Sequence, residues 1–427
     1  MSLARTTLLN GIATATRLAV GLALNKLLAV YVGPAGFGVI GQFHSLTSLL
    51  SAAAGGVLAS GVTKLTAQHA SAPEVQNAVW RTALTLGLLG AGVGSLSMLV
   101  FGPYLAARLL GDASLASAFF WLAATSSFLA VNTVLLAALS GLKKVDAFIA
   151  ASIAGSMVSV GAAALLVLEF GLYGGLIALP IGQALSGVVT AAVFRHTLRS
   201  RWRELVGRLD ARATRALGGF ALMATTTAIV VPLSQIAIRD GLTRMAGAEM
   251  AGIWQAMWKL SETHLLLLTT TLSLHFLPRF AEIVSGRELR QEVAKAYRFV
   301  LPLVGATALT LYLFREPLTR LLFSPAFLPL ADGLGWQLMG DVLKIASWVP
   351  AYTMISHASV RPYIATECVF SVLVAAACLF GARHFGLAGA GAGYAATYAL
   401  YWLVSHWQLG RLARRLDASR SVPASAP

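Results

Sequence analysis

Twelve times along its length this chain runs through about 20 or more mostly apolar residues, and that repetition constrains the fold more than any other feature. The runs fall at 5–31, 40–59, 80–101, 116–138, 146–168, 173–194, 214–238, 248–276, 297–316, 334–357, 362–381 and 386–409. A helix needs about 20 residues to cross the roughly 30 Å hydrocarbon core of a bilayer. With 57% hydrophobic and 11% charged residues over 427 positions, the chain lacks the polar surface of a soluble protein. Alternating segments of about 10 residues, the mark of a membrane barrel, are absent. The expected fold is all-α and membrane-integral, with about twelve transmembrane helices. The first run carries Arg17 at its middle and reads as a retained anchor rather than a cleaved signal.

The formal net charge of +15 invites a nucleic-acid reading, and the placement of the basic residues argues against it. With the N-terminus inside, 22 of the 32 Lys and Arg lie in cytoplasmic segments. Arg108, Arg239, Arg244, Arg315, Arg320 and Arg383 lie outside, and Arg17, Lys26, Lys259 and Lys344 lie within spans. This is the positive-inside bias, and it puts both termini in the cytoplasm.

The chain repeats itself at half its length. Phe170-Gly171-Leu172-Tyr173-Gly174 returns as Phe385-Gly386-Leu387-Ala388-Gly389, an offset of 215. Gly33, Gly38 and Val39 return as Gly247, Gly252 and Ile253, an offset of 214. Two lobes of six helices follow, 1–194 and 214–410, in the same orientation and related by an axis along the membrane normal. Between them, in 195–213, Leu198, Trp202, Leu205 and Leu209 share one helical face among arginines. That pattern suits an amphipathic helix on anionic lipid headgroups, or a solvated connector. Residues 411–427 form a cytoplasmic tail.

Charge inside a bilayer is costly, so it marks a cavity or a function. Asn10, Thr14 and Arg17 form one polar stripe, and the guanidinium fork suits phosphate or carboxylate in a cavity, or backbone carbonyls between helices. Lys26 is near enough to the outer end to snorkel. Lys64 sits at the inner end of the second span, where it meets a headgroup phosphate or merely follows the topological charge bias. His44, Ser48, Ser51 and Gly55 share a face that lines a cavity or packs as a small-residue seam. Gln255, Lys259 and Glu262 form one stripe, and Gln337, Asp341 and Lys344 another. The two stripes are placed to pair, Lys259 with Asp341 and Glu262 with Lys344. Such a set serves ion coupling, with Glu367 as a lesser member, or holds helices together statically. His264 and His357 read as packed residues.

Other chemistries find no support. Cys368 and Cys378 on one helix are about 15 Å apart by rise, which excludes a disulfide between them. No metal or redox cluster is present in the sequence, and no cofactor is expected. Gly33, Gly36, Gly38 and Gly41 lack the βαβ setting of a nucleotide loop and read as a turn. No loop is long enough to house a polymerase active site, so no enzyme activity is expected. A multidrug or cation antiporter would want buried acids in the first lobe, which has none.

Several segments resemble the Wzx-type polysaccharide flippases. They are Met1-Ser2-Leu3-Ala4, Lys26-Leu27-Leu28-Ala29-Val30 with Gly33-Pro34-Ala35-Gly36, and Gly61-Val62-Thr63-Lys64. Further along come Gly252-Ile253-Trp254-Gln255, Leu277-Pro278, Phe299-Val300-Leu301-Pro302, and Trp336-Gln337-Leu338 leading into Gly340-Asp341-Val342-Leu343-Lys344. The likeness runs the length of the chain and is nearest to the branch serving enterobacterial common antigen. It implies the MOP exporter fold, two six-helix bundles around a central cavity. It also implies proton-coupled translocation of an undecaprenyl-diphosphate-linked oligosaccharide, of lipid III or O-antigen type, across the bacterial inner membrane. A Wzy-type polymerase and a chain-length regulator would be partners. Arg17, Lys26, Lys64, Asn10, Thr14 and Lys259 would then meet substrate. Glu262, Asp341, Lys344 and Glu367 would couple the ion.

Overall fold

A computed structural model describes residues 3–199, 201–205, 207, 209–272, 276–357 and 360–421. Side chains are described from residue 20 onward, apart from 220, 267, 270, 271, 277, 278 and 419–421. The helices are α1 (Leu3–Ala53), α2 (Ala59–Gln68), α3 (Pro73–Leu105), α4 (Ser117–Gly141), α5 (Val145–Thr197) and α6 (Ala211–Thr271). They continue as α7 (Leu277–Glu282), α8 (Gly286–Leu313), α9 (Arg315–Leu322), α10 (Leu330–Ser356) and α11 (Val360–Ser421).

Four of these helices fold back on themselves at a single glycine. Gly33 (φ 64°) breaks α1, Gly171 (φ 55°) breaks α5, Gly247 (φ 88°) breaks α6 and Gly386 (φ 59°) breaks α11. A left-handed backbone costs an L-residue with a Cβ, so glycine fits each turn. Arg239 hydrogen-bonds Gln255, and the two lie equally far either side of Gly247. Gly174 and Gly389 leave no room for a Cβ against the carbonyls of Leu166 and Gly381, which lie before the turn in the same helix. Thus in each Phe-Gly-Leu-x-Gly motif the first glycine makes the turn and the second lets the two helices touch.

Among the described residues, seven helical stretches are long and apolar enough to cross a membrane. Four contain a glycine turn and so supply two spans each, giving eleven. The twelfth is α10, less apolar because it carries Asp332, Asp341 and Lys344. The twelve expected spans are therefore present. Large apolar side chains such as Val93, Leu96, Val100, Val372 and Phe380 face outward, as lipid-facing residues do.

The chain divides into two compact units, 1–236 and 237–427, with the boundary inside α6. The first unit has a core around Trp80, Leu135, Leu139 and Phe194. Trp80 meets Phe194 edge-on at 5.7 Å and donates its indole N–H to Thr66 Oγ1 at 2.8 Å. The second has a core around Phe280, Val293, Val300, Ile345 and Val349.

The 195–213 segment does not form one amphipathic helix. α5 ends at Thr197, Trp202–Leu205 makes one 3-10 turn, and α6 begins at Ala211. Leu205 is buried in the first core and Trp202 packs on Phe194, while Leu209 is exposed. Arg201 explains the tuck. Its guanidinium donates to Gln76 Oε1 (2.9 Å), Asn77 Oδ1 and the Pro73 carbonyl (3.0 Å), and stacks 4.1 Å from the Trp80 ring centroid. Periodicity alone missed this, because an arginine counted as solvent-facing is the anchor.

Candidate functional site

In the second unit the acid and base stripes come together, with partners other than those expected. Asp341 on α10 is fully buried. Its Oδ1 accepts from Ser261 Oγ on α6 at 2.6 Å and from the Tyr394 hydroxyl on α11 at 2.9 Å. Gln337 reaches the same serine at 3.4 Å. Gly340 makes this possible, since a Cβ there would strike the Tyr394 ring. The motif Gly340-Asp341 thus supplies both the acid and the room for its donor.

Lys259 does not reach Asp341. It pairs with Glu262 at 3.6 Å, three residues along its own helix. Both are partly exposed, and such a pair contributes little, about 0.5 kcal/mol or less. Glu262 also accepts the Trp258 indole N–H at 2.8 Å. The counterpart of Asp341 is instead His264, whose Nδ1 lies 3.6 Å from Asp341 Oδ2. Ser261 and His264 are one turn apart on α6, so one helix addresses both oxygens of the carboxylate.

Lys344 is not paired with Glu262. Among the described residues no carboxylate lies within 4 Å of its ammonium, which sits among four aromatic rings. The centroid distances are 5.3 Å to Trp258, 5.2 Å to Trp348, 5.9 Å to Tyr394 and 5.4 Å to Tyr398. Each ring face attracts a cation, by about 0.5–2 kcal/mol depending on desolvation. Glu367, on the first half of α11, accepts the Tyr401 hydroxyl at 2.9 Å.

Sequence reasoning sorted Arg239 with the outer residues, yet it is 2% exposed inside α6. It donates to Gln255 and lies 5.9 Å from the Trp254 ring centroid. The signal was the turn glycine: a helix running to Gly247 carries Arg239 two turns below the outer end.

In the first unit, the side chains of Asn10, Thr14 and Arg17 lie outside the described residues, on a described stretch of α1. Lys26 is half-buried on α1 and Lys64 is exposed on α2. The face expected to line a cavity or pack is mixed. His44 is exposed, whereas Gly55 packs against Gly87 with space for no side chain. Sequence reasoning missed Gln42 and Ser45, which are buried and reach α6 at the Ile236 carbonyl (3.3 Å) and Gln235 Oε1 (3.2 Å).

Comparison with known proteins fits this picture. Residues 27–332 match the family described as polysaccharide biosynthesis protein. The chain is 31% identical over 406 residues to the lipid III flippases of Escherichia coli (strain K12) and Shigella flexneri, covering 94% of this chain and 97% of each relative. Among solved structures it is similar to an inward-facing multidrug resistance MATE family transporter of the MOP superfamily. That likeness has a TM-score of 0.78 at 15% identity, over 97% of this chain and all of the other. It is also similar to a MOP superfamily transporter from Pyrococcus furiosus, with a TM-score of 0.69 at 13% identity, over 95% of this chain and 96% of the other. The fold is therefore that of the MOP transporters, and the chain belongs to the polysaccharide biosynthesis protein family.

Proposed function

We propose that this protein is a flippase that moves an undecaprenyl-diphosphate-linked oligosaccharide of the lipid III type from the cytoplasmic to the periplasmic leaflet of the bacterial inner membrane. The observation that carries the reading is the 31% identity to lipid III flippases, sustained over nearly the full length of both chains. The likeness to MOP superfamily transporters, at 13–15% identity, speaks for the shared fold rather than for any cargo. In this reading the first six spans bind the diphosphate, through Arg17 with Asn10 and Thr14, and through Lys26 and Lys64 nearer the ends. Lys259 meets substrate from the second half, and the Asp341 and Lys344 cluster, with Glu262 and Glu367, ties the transition to a proton gradient. Anionic lipids meet the basic 195–213 segment at the cytoplasmic edge, beside a cavity of about 670 Å³ lined by Lys143, Lys144 and His196. A polymerase and a chain-length regulator acting on the exported glycan are the partners such a step would serve.

The test is complementation of an Escherichia coli strain lacking its lipid III flippase. The expected result is that the chain restores surface glycan and clears the lipid-linked precursor from the cytoplasmic leaflet. Arg17→Ala, expressed and inserted normally, should fail to do so. Restoration by Arg17→Ala equal to the parent would remove that residue from substrate binding. Failure of the parent chain would exclude lipid III as its cargo.

A further inference from the structure

The hydrogen bonds around Asp341 are lopsided. Oδ1 takes two donors, while Oδ2 is buried and has none among the described residues. Both ring nitrogens of His264, which faces Oδ2, are likewise buried, and among the described residues neither makes a full hydrogen bond, the Ser261 backbone one turn earlier being the nearest acceptor. Buried polar atoms without partners are uncommon and unfavourable, and here three occur within one contact. At 3.6 Å the two atoms stand just beyond hydrogen-bond length, and a proton on either one draws Oδ2 and Nδ1 together and gives both a partner.

Lys344 shows a complementary oddity. It lies three residues from Asp341 on the same helix, within side-chain reach, and yet its ammonium is held on ring faces. An aromatic cage holds a cation without neutralising it. The other ionisable groups around the carboxylate have partners of their own. Glu262 takes the Trp258 indole and Lys259, Glu367 takes Tyr401, and Tyr394 donates to Oδ1. Tyr398 forms a wall of the cage.

We infer that Asp341 and His264 hold one exchangeable proton between them, and that Lys344 is the competing occupant of the Asp341 carboxylate. With the proton in place, Asp341 and His264 together carry no net charge, and Lys344 stays in the cage. When the proton leaves, they carry one negative charge, and the Lys344 ammonium moves onto the carboxylate to balance it. α10 then loses its cage contacts with α6 and α11, so proton exchange is joined to a change in helix packing. The inference deepens the proton-coupled reading and rests on it, while its test needs no glycan.

Infrared difference spectroscopy of the full chain in lipid nanodiscs, titrated with acid and base, reads the proton directly. A protonated-carboxyl band is expected, and Asp341→Asn should remove it. His264→Gln should move its frequency, because the hydrogen-bond partner changes. Lys344→Met should keep the band to higher pH, by about one unit or more, which is about tenfold in proton affinity. Lys344→Gln serves if the methionine variant does not fold. Absence of any band sensitive to Asp341→Asn would overturn the inference. So would an unchanged frequency in His264→Gln, or an unchanged midpoint in the Lys344 variant. Failed complementation with these band shifts intact would count against the lipid III cargo and leave the shared proton standing.

Discussion

Lys259 is paired with Glu262 on its own helix at 3.6 Å, which leaves Asp341, on the neighbouring helix, to His264. The two acid and base stripes are therefore not a ladder of cross-helix ion pairs. One is a partly exposed surface pair. The other is a buried carboxylate with polar donors on one oxygen and an imidazole beside the other.

The first prediction concerns that carboxylate. Asparagine keeps the shape of the side chain and still accepts from Ser261 and Tyr394, but carries no exchangeable acid proton. Asp341→Asn should keep the thermal midpoint of the purified protein within a few degrees, corresponding to about 1 kcal/mol. Transport in proteoliposomes should become insensitive to an imposed pH gradient. Gradient dependence equal to the parent would place coupling elsewhere.

Gly340 offers a separate approach to the same site. A methyl group there meets the Tyr394 ring, and overpacking of this kind costs about 1–3 kcal/mol. Gly340→Ala should lower thermal stability and push the Tyr394 hydroxyl off Asp341. Adding Tyr394→Leu should recover part of the stability without recovering transport, a pattern readable from the double variant beside each single one.

The turn glycines should be far less tolerant than glycines inside spans. Alanine at Gly171 or Gly386 forces a left-handed L-residue and should cost about 1–2 kcal/mol each. Alanine at Gly92 or Gly161 meets nothing within 4 Å and should be neutral or stabilising by up to about 1 kcal/mol. Denaturation of the four single variants in detergent gives the ranking.

Arg201 should not be replaceable by lysine. A compact ammonium can neither fork to Gln76, Asn77 and the Pro73 carbonyl at once nor stack flat on Trp80. Arg201→Lys and Arg201→Ala should both free the 201–205 turn, seen as faster amide exchange at Trp202–Leu205. Protection unchanged in both variants would show that burial of Leu205 alone holds the segment.

The spans were legible because apolar length is a one-dimensional property, and so was the repeat, whose glycines make the four turns. Asp341, Lys344 and Glu367 were legible as misplaced charge. What surrounds them was not. The cage around Lys344 draws Trp258 from α6, Trp348 from α10, and Tyr394 and Tyr398 from α11, and no spacing rule brings three helices to one point. His264 read as a packed residue because its significance is a distance to another helix. Arg239 was assigned to the outside because the position of the turn, rather than the length of the apolar run, decides where a helix ends.

The four glycine turns also determine what the cell exterior can cut. A protease must draw an extended stretch of chain into its cleft, and a helix that reverses at one residue offers none. Of the outward connections, only 106–116 and 314–329 are longer. Arg108 lies in the first, and Arg315 and Arg320 on the eight-residue α9 in the second, whereas Arg239, Arg244 and Arg383 sit within long spanning helices. Trypsin added to intact spheroplasts should therefore nick the chain at those two places and leave the other four turns whole.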